Sequence, residues 1–60
     1  MEITTYTVDY SADYRGERIM AVKHVDLIDG YSTFADIPSI LEANTGHKNI
    51  VILKAVLKVN

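Results

Sequence analysis

Apolar residues recur at a period of two, then at the spacing of a helix face, then at a period of two again, so the chain reads as strand, strand, helix, strand. In Ile3 to Tyr10 the residues Tyr6, Val8 and Tyr10 share one parity, while the other parity, Ile3, Thr5, Thr7 and Asp9, is more polar. Threonine, tyrosine and valine dominate this segment, as suits a half-buried strand. Ser11 to Glu17 carries alternating charge and Gly16, which predicts a hairpin connection with Gly16 at positive φ. Arg18 to Ile28 predicts the second strand, but its alternation has a defect. Met20 and Val22 are followed on their own parity by His24 and Asp26, while Val25 and Leu27 fall on the other. A β-bulge near Lys23 or His24 would bring Met20, Val22, Val25 and Leu27 onto one face, because one extra residue shifts the side-chain phase. An edge position accounts for the same mixture.

Asp29-Gly30 is a turn signal that closes the second strand. Beyond it Phe34, Ile37 and Leu41, with Ile40 beside them, follow a helical spacing. Thr33 followed by Asp36 resembles a capping box, with Asp36 itself an alternative N-cap, and Pro38 predicts a distorted first turn before regular helix to about Asn44. Gly46 then suits a left-handed C-cap. Asn49 to Val59 is the strongest strand. Val51, Leu53, Ala55, Leu57 and Val59 are all apolar and are expected to face the helix, leaving Ile50, Ile52, Lys54, Val56 and Lys58 on the other side. The chain is therefore expected to be a single α+β domain over residues 1–60, of ββαβ order. Strand order 2-1-3, all antiparallel with the helix on one face, is preferred over 1-2-3 because the mixed second strand has the character of an edge.

Composition narrows the function more than it names one. At sixty residues only about 60% of the unfolded surface can be hidden, and with no cysteine the disulfides that small domains often lean on are excluded. The longest apolar run, Ile50 to Leu53, is far short of a membrane span, and Met1 to Tyr10 lacks the basic and apolar blocks of a secretory signal, so a cytoplasmic location is expected. The net charge of -2 disfavours general binding to a phosphate backbone. The charge is also uneven: all eight acidic residues precede Lys48, and Lys48, Lys54 and Lys58 are the only charged residues from there on.

No catalytic signature is present, neither a thiol, a glycine-rich phosphate loop, HExxH nor CxxC, so the chain is not expected to be an enzyme or to carry a cofactor. His24 reads as a partly exposed edge residue and His47 as a solvent-contacting loop residue. Asp26, Asp29 and Asp36 read as a solvated residue, a turn former and a helix N-terminal charge rather than as metal ligands. Tyr6, Tyr10 and Tyr14 are spaced by four, with Tyr6 and Tyr10 expected in the core and Tyr14, in the hairpin, available to a partner. One short helix cannot cover both faces of a sheet, and the second apolar side of the last strand, Ile50, Ile52 and Val56, with Lys54 and Lys58 among them, is the chief sign of a partner surface or a homodimer. Tyr14, Arg15 and Glu42 complete the candidate contact residues.

From Gly30-Tyr31-Ser32 through Lys58-Val59, about half the chain, the layout is similar to that of the small phage-encoded inhibitors of uracil-DNA glycosylase: a turn, a Ser/Thr-Asp helix start, a short apolar helix, Asn44-Thr45, then one long alternating strand ending in Lys-Val, with a small insertion around Pro38. The resemblance implies an acidic ββαβ homodimer that mimics DNA and blocks a host enzyme. Where those inhibitors carry an aromatic-acidic pair and a later tyrosine on the helix, this chain has Ile37, Ser39 and Glu42. The expected function is accordingly a non-enzymatic protein-binding module, a phage-type inhibitor or modulator of a host protein acting as a homodimer. The alternative is a small nucleic-acid-binding or regulatory module using Tyr6, Tyr10, Tyr14, Arg15, Arg18 and the C-terminal lysines.

Overall fold

The computed structural model describes residues 2–58. It contains β1 (Ile3–Tyr14), β2 (Glu17–Ile28), a single 3₁₀ turn (Phe34–Asp36), α1 (Ile37–Thr45) and β3 (Lys48–Leu57). The three strands form one antiparallel sheet in the order β2-β1-β3, with α1 between β2 and β3 in sequence. This is the α+β, ββαβ arrangement with strand order 2-1-3.

The hairpin is tighter than the charge pattern suggests. Ser11 to Tyr14 belong to β1, Glu17 opens β2, and only Arg15 and Gly16 lie between them, both at positive φ (50° and 81°). Two left-handed residues in a two-residue loop make the mirror-image turn whose twist matches that of the strands it joins. The turn fixes the register, which runs unbroken from Tyr14 opposite Glu17 to Ile3 opposite Ile28.

That unbroken register overturns the expected bulge near Lys23 or His24. Residues opposite one another point to the same face, so Ala21, Val25 and Leu27, facing Tyr10, Tyr6 and Thr4, share the helix side. Met20 and Val22 lie opposite Ser11 and Asp9 on the open face, with His24 and Asp26 beyond them. Met20 is 77% exposed. The alternation defect in β2 thus marks an edge strand, the other explanation of the pattern.

The irregularity lies instead in β3. Its pairing with β1 shifts between Asp9 and Tyr10, where Leu53 is skipped, and again between Ser11 and Asp13, next to Asn49 at φ 51°. Each extra residue reverses the side-chain phase. Ala55 and Leu57 face the helix side as expected, opposite Val8 and Tyr6. Before the first shift the phase is inverted: Val51 lies opposite Ser11 on the open face, and Ile50 and Ile52 pack against the core. Ile50 and Ile52 therefore belong to the covered side rather than the uncovered one. Of the three residues expected there, Val56 alone is on the open face, opposite Thr7. Val59 is outside the described residues.

The core consists of Val8, Tyr10 and Ala12 from β1, Val25 and Leu27 from β2, and Ile37 and Leu41 from α1. Ile37 and Leu41 are one helical turn apart and so meet the sheet together. The capping segment behaves as the sequence suggests: the Asp36 carboxylate accepts the Thr33 N–H at 2.8 Å, and Pro38 sits in the first turn of α1, where its missing donor costs nothing. At the other end Gly46, at φ 76°, returns its N–H to the Glu42 carbonyl, closing the helix in a left-handed cap. Leu27→Ala should lower the unfolding free energy by about 2–5 kcal/mol, whereas Met20→Ala, at concentrations too low for self-association, should change it by less than about 0.5 kcal/mol; urea unfolding curves of the two variants test the assigned phase of β2.

Candidate interaction surfaces

The helix side ends in two aromatic groupings. At one end the Phe34 ring meets Tyr6 edge to face, with centroids 4.9 Å apart, and Phe34 remains 56% exposed. At the hairpin end, Tyr10 is fully buried and its hydroxyl shares a hydrogen bond of 2.9 Å with His47 Nδ1. The same imidazole packs edge to face on Tyr14 at 5.0 Å, and the Arg15 guanidinium lies over the Tyr14 ring at 5.2 Å. His47 is thus a half-buried clamp between two tyrosines rather than a loop residue turned to solvent. Its position is set by the helix end: the Thr45 hydroxyl donates to the Leu41 carbonyl and accepts the His47 N–H.

On the open face β1 presents Thr5, Thr7, Asp9, Ser11 and Asp13, and the neighbouring strands pair with them. Thr5 donates to Asp26 at 2.6 Å, and Thr7 shares a hydrogen bond with His24 Nδ1 at 3.1 Å. Arg18 reaches across the sheet, donating to Asp13, to the Ser11 hydroxyl and to the Asn49 carbonyl of β3. Asn49 Nδ2 also donates to Asp13, at 2.8 Å, and this bond together with Arg18 holds the Asp13 carboxyl below its ordinary value of 3.8. Met20 and Val22 on one side and Val51 and Val56 on the other flank this polar line. The open face is therefore a polar spine between margins in which these four apolar side chains alternate with Arg18, His24, Asp26 and Lys54.

The expected contact residues do not form one site. Tyr14 and Arg15 stand together at the hairpin tip, 39% of Tyr14 exposed. Lys54 and Val56 are on the open face of β3, Lys58 continues the pairing through its N–H to the Thr5 carbonyl, and Glu42 is held by Lys48 at 2.8 Å beside a shallow depression lined by Ser39 and Ala43. Ile50 and Ile52 are on the opposite side. Tyr10, being fully buried, cannot stack a base. Sequence reasoning missed His47 as the partner of Tyr10 and Tyr14; the four-residue tyrosine spacing, which puts both rings on one face of β1, was the available signal.

Asp26, Asp29 and Asp36 are each engaged separately, by Thr5, Thr4 and Thr33, and among the described residues no three His, Asp or Glu side chains group to hold a metal ion. No described helix is long and apolar enough to cross a membrane. Compared with known protein families, curated proteins and solved structures, the chain matches none.

Two outcomes follow from this geometry. Tyr10→Phe should cost about 1 kcal/mol, and combining it with His47→Ala should cost less than the sum of the single losses, as a double-mutant cycle will read. Because the Asp13 pKa is lowered in the folded state, its contribution is present above the ordinary value and is lost as pH falls through the folded one. Melting temperature should accordingly fall less steeply in Asp13→Asn than in the native chain between about pH 5 and pH 2.

Proposed function

We propose that this chain is a small non-enzymatic protein-binding module that works as a homodimer and inhibits or modulates a host protein, in the manner of the phage-encoded inhibitors it resembles. The observation that carries the reading is the imbalance of apolar surface. Seven side chains make the buried core, while Met20, Val22 and Val51 on the open face and Phe34 and Leu57 on the helix side are each more than half exposed. Apolar area left in water at this density is the ordinary mark of a surface that meets another protein. The hairpin tip supports the same reading: Tyr14 and Arg15 are residue types enriched where binding energy concentrates, and stacking on His47 holds the Tyr14 ring in place before any partner arrives.

Affinity capture from a bacterial lysate, read by mass spectrometry, tests the proposal. The native chain should retain a specific protein, and a Tyr14→Ala, Arg15→Ala double variant with an unchanged unfolding curve should bind it at least about tenfold more weakly. Recovery of no specific protein would overturn the reading.

A further inference from the structure

The two outer strands of the sheet are protected very differently. β3 is interrupted twice, at Leu53 and next to Asn49, and carries Lys48 and Lys54 with Lys58 just past its end, the devices by which edge strands resist further pairing. β2 is twelve residues long, unbroken in register, free of proline and, among the described residues, bordered on one side only; its charged residues, Glu17, Arg18, Lys23 and Asp26, are of both signs, so they can complement a second copy rather than repel it. In the two-residue hairpin Tyr14 and Glu17 close the turn with paired hydrogen bonds, and the same odd-numbered phase recurs at the far end, where Asp29 donates to the Glu2 carbonyl at 2.9 Å. The backbone groups of Arg18, Met20, Val22, His24 and Asp26 therefore point away from β1 at an open edge.

We propose that β2 pairs antiparallel with β2 of a second copy about a two-fold axis at Val22, joining two three-stranded sheets into one of six strands. This deepens the homodimer of the reading above and rests on it. The register is chosen by charge. With the axis at Val22, Arg18 lies opposite Asp26 of the second copy, Met20 opposite His24, Ile19 opposite Val25 and Ala21 opposite Lys23. No like charges then face each other over Arg18 to Asp26, and the opposite charges at both ends, each already held on its own sheet by Asp13 or Thr5, lie in favourable rather than repulsive positions. An axis at Lys23 sets Lys23 against itself and Met20 against Asp26. An axis at His24 sets His24 against itself and Val22 against Asp26, while an axis at Ala21 sets Asp26 against Gly16 of the turn and Arg18 against His24, so that the opposite charges are not matched. An axis at Met20 extends the pairing past the turn to Gly16.

The Val22 register also places the outward backbone groups of all five even-numbered residues in hydrogen-bonded pairs, about ten new ladder bonds. It joins the apolar margin of Met20 and Val22 to its symmetry mate in one strip on the open face. Val22 is 59% exposed and Met20 77% in the single chain, so both side chains are free to meet a copy.

The cysteine-free chain makes the register directly readable. Met20→Cys, Val22→Cys and His24→Cys are oxidised separately, and the native chain and Val22→Lys are sedimented at high micromolar concentration. In the proposed register the two Val22 Cα atoms are about 5.5 Å apart, within disulfide reach, while those of Met20 or His24 are more than about 12 Å apart. The expected result is a dimeric native chain, cross-linking of Val22→Cys at least tenfold faster than of the other two, and a monomeric Val22→Lys with an unchanged fold by circular dichroism. A dimeric native chain that cross-links preferentially at position 20 or 24, or at none of the three, overturns the β2 pairing and leaves the homodimer standing. A monomeric native chain overturns both, and neither result bears on capture of a host protein.

Discussion

At 1.5 Å per residue the nine residues of α1 span about 14 Å, whereas the twelve residues of β1 span about 40 Å. Among the described residues the helix is the one long element laid on the sheet, so only the middle of one face can be sealed by it. Everything distinctive about the molecule is an answer to that mismatch. Ile37 and Leu41 close the centre over Val8, Val25 and Leu27. Beyond the helix ends the sheet is covered by rings: Phe34 lies on Tyr6 before the helix starts, and His47 lies on Tyr10 and Tyr14 after it ends. An aromatic ring covers more apolar surface per residue than a further half-turn of helix would, and the Tyr10 hydroxyl keeps its hydrogen bond while fully buried.

The order of the elements was legible in the sequence because each boundary has its own chemistry. Asp29-Gly30 turns the chain out of β2, Thr33 and Asp36 start the helical segment, and Gly46 ends it. The phase of the strands was less legible, for reasons that differ between β2 and β3. In β2 the information sits outside the strand, in the closing turn; Arg15 adopts positive φ without being glycine, so the loop read longer than it is and left the register open. In β3 both parities are apolar from Ile50 to Leu53, and period-two alternation cannot assign a face when both faces look alike. The two shifts of register in β3 fall beside Tyr10 and beside Asn49, whose carbonyl Arg18 reaches, partners that are not local to β3.

The surface chemistry follows the same division. Tyr14 and Arg15 could be singled out because an exposed aromatic beside a cation at a turn is conspicuous in sequence. Their support by His47 could not, since it joins positions more than thirty residues apart. The polar spine of the open face is equally non-local: Thr5 with Asp26 and Thr7 with His24 are cross-strand partners whose identities become pairs only once the turn has set the register.

Among the described residues β1 is the only strand with two neighbours, and it acquires them over very different sequence distances. Its hairpin with β2 closes through a loop of two residues, while Tyr6 meets Leu57 only after the whole intervening chain has been placed. Closing the short loop costs less conformational entropy than closing the long one, which favours the hairpin forming ahead of the pairing with β3. The skipped residues in β3 then acquire a kinetic meaning. A strand that arrives last onto an already fixed template can slide to the register in which Ile50 and Ile52 are covered, absorbing the misfit in a bulge rather than unmaking the hairpin. The edge proposed for pairing thus belongs to the part of the chain with the shortest loop to close, and the bulged edge to the part with the longest.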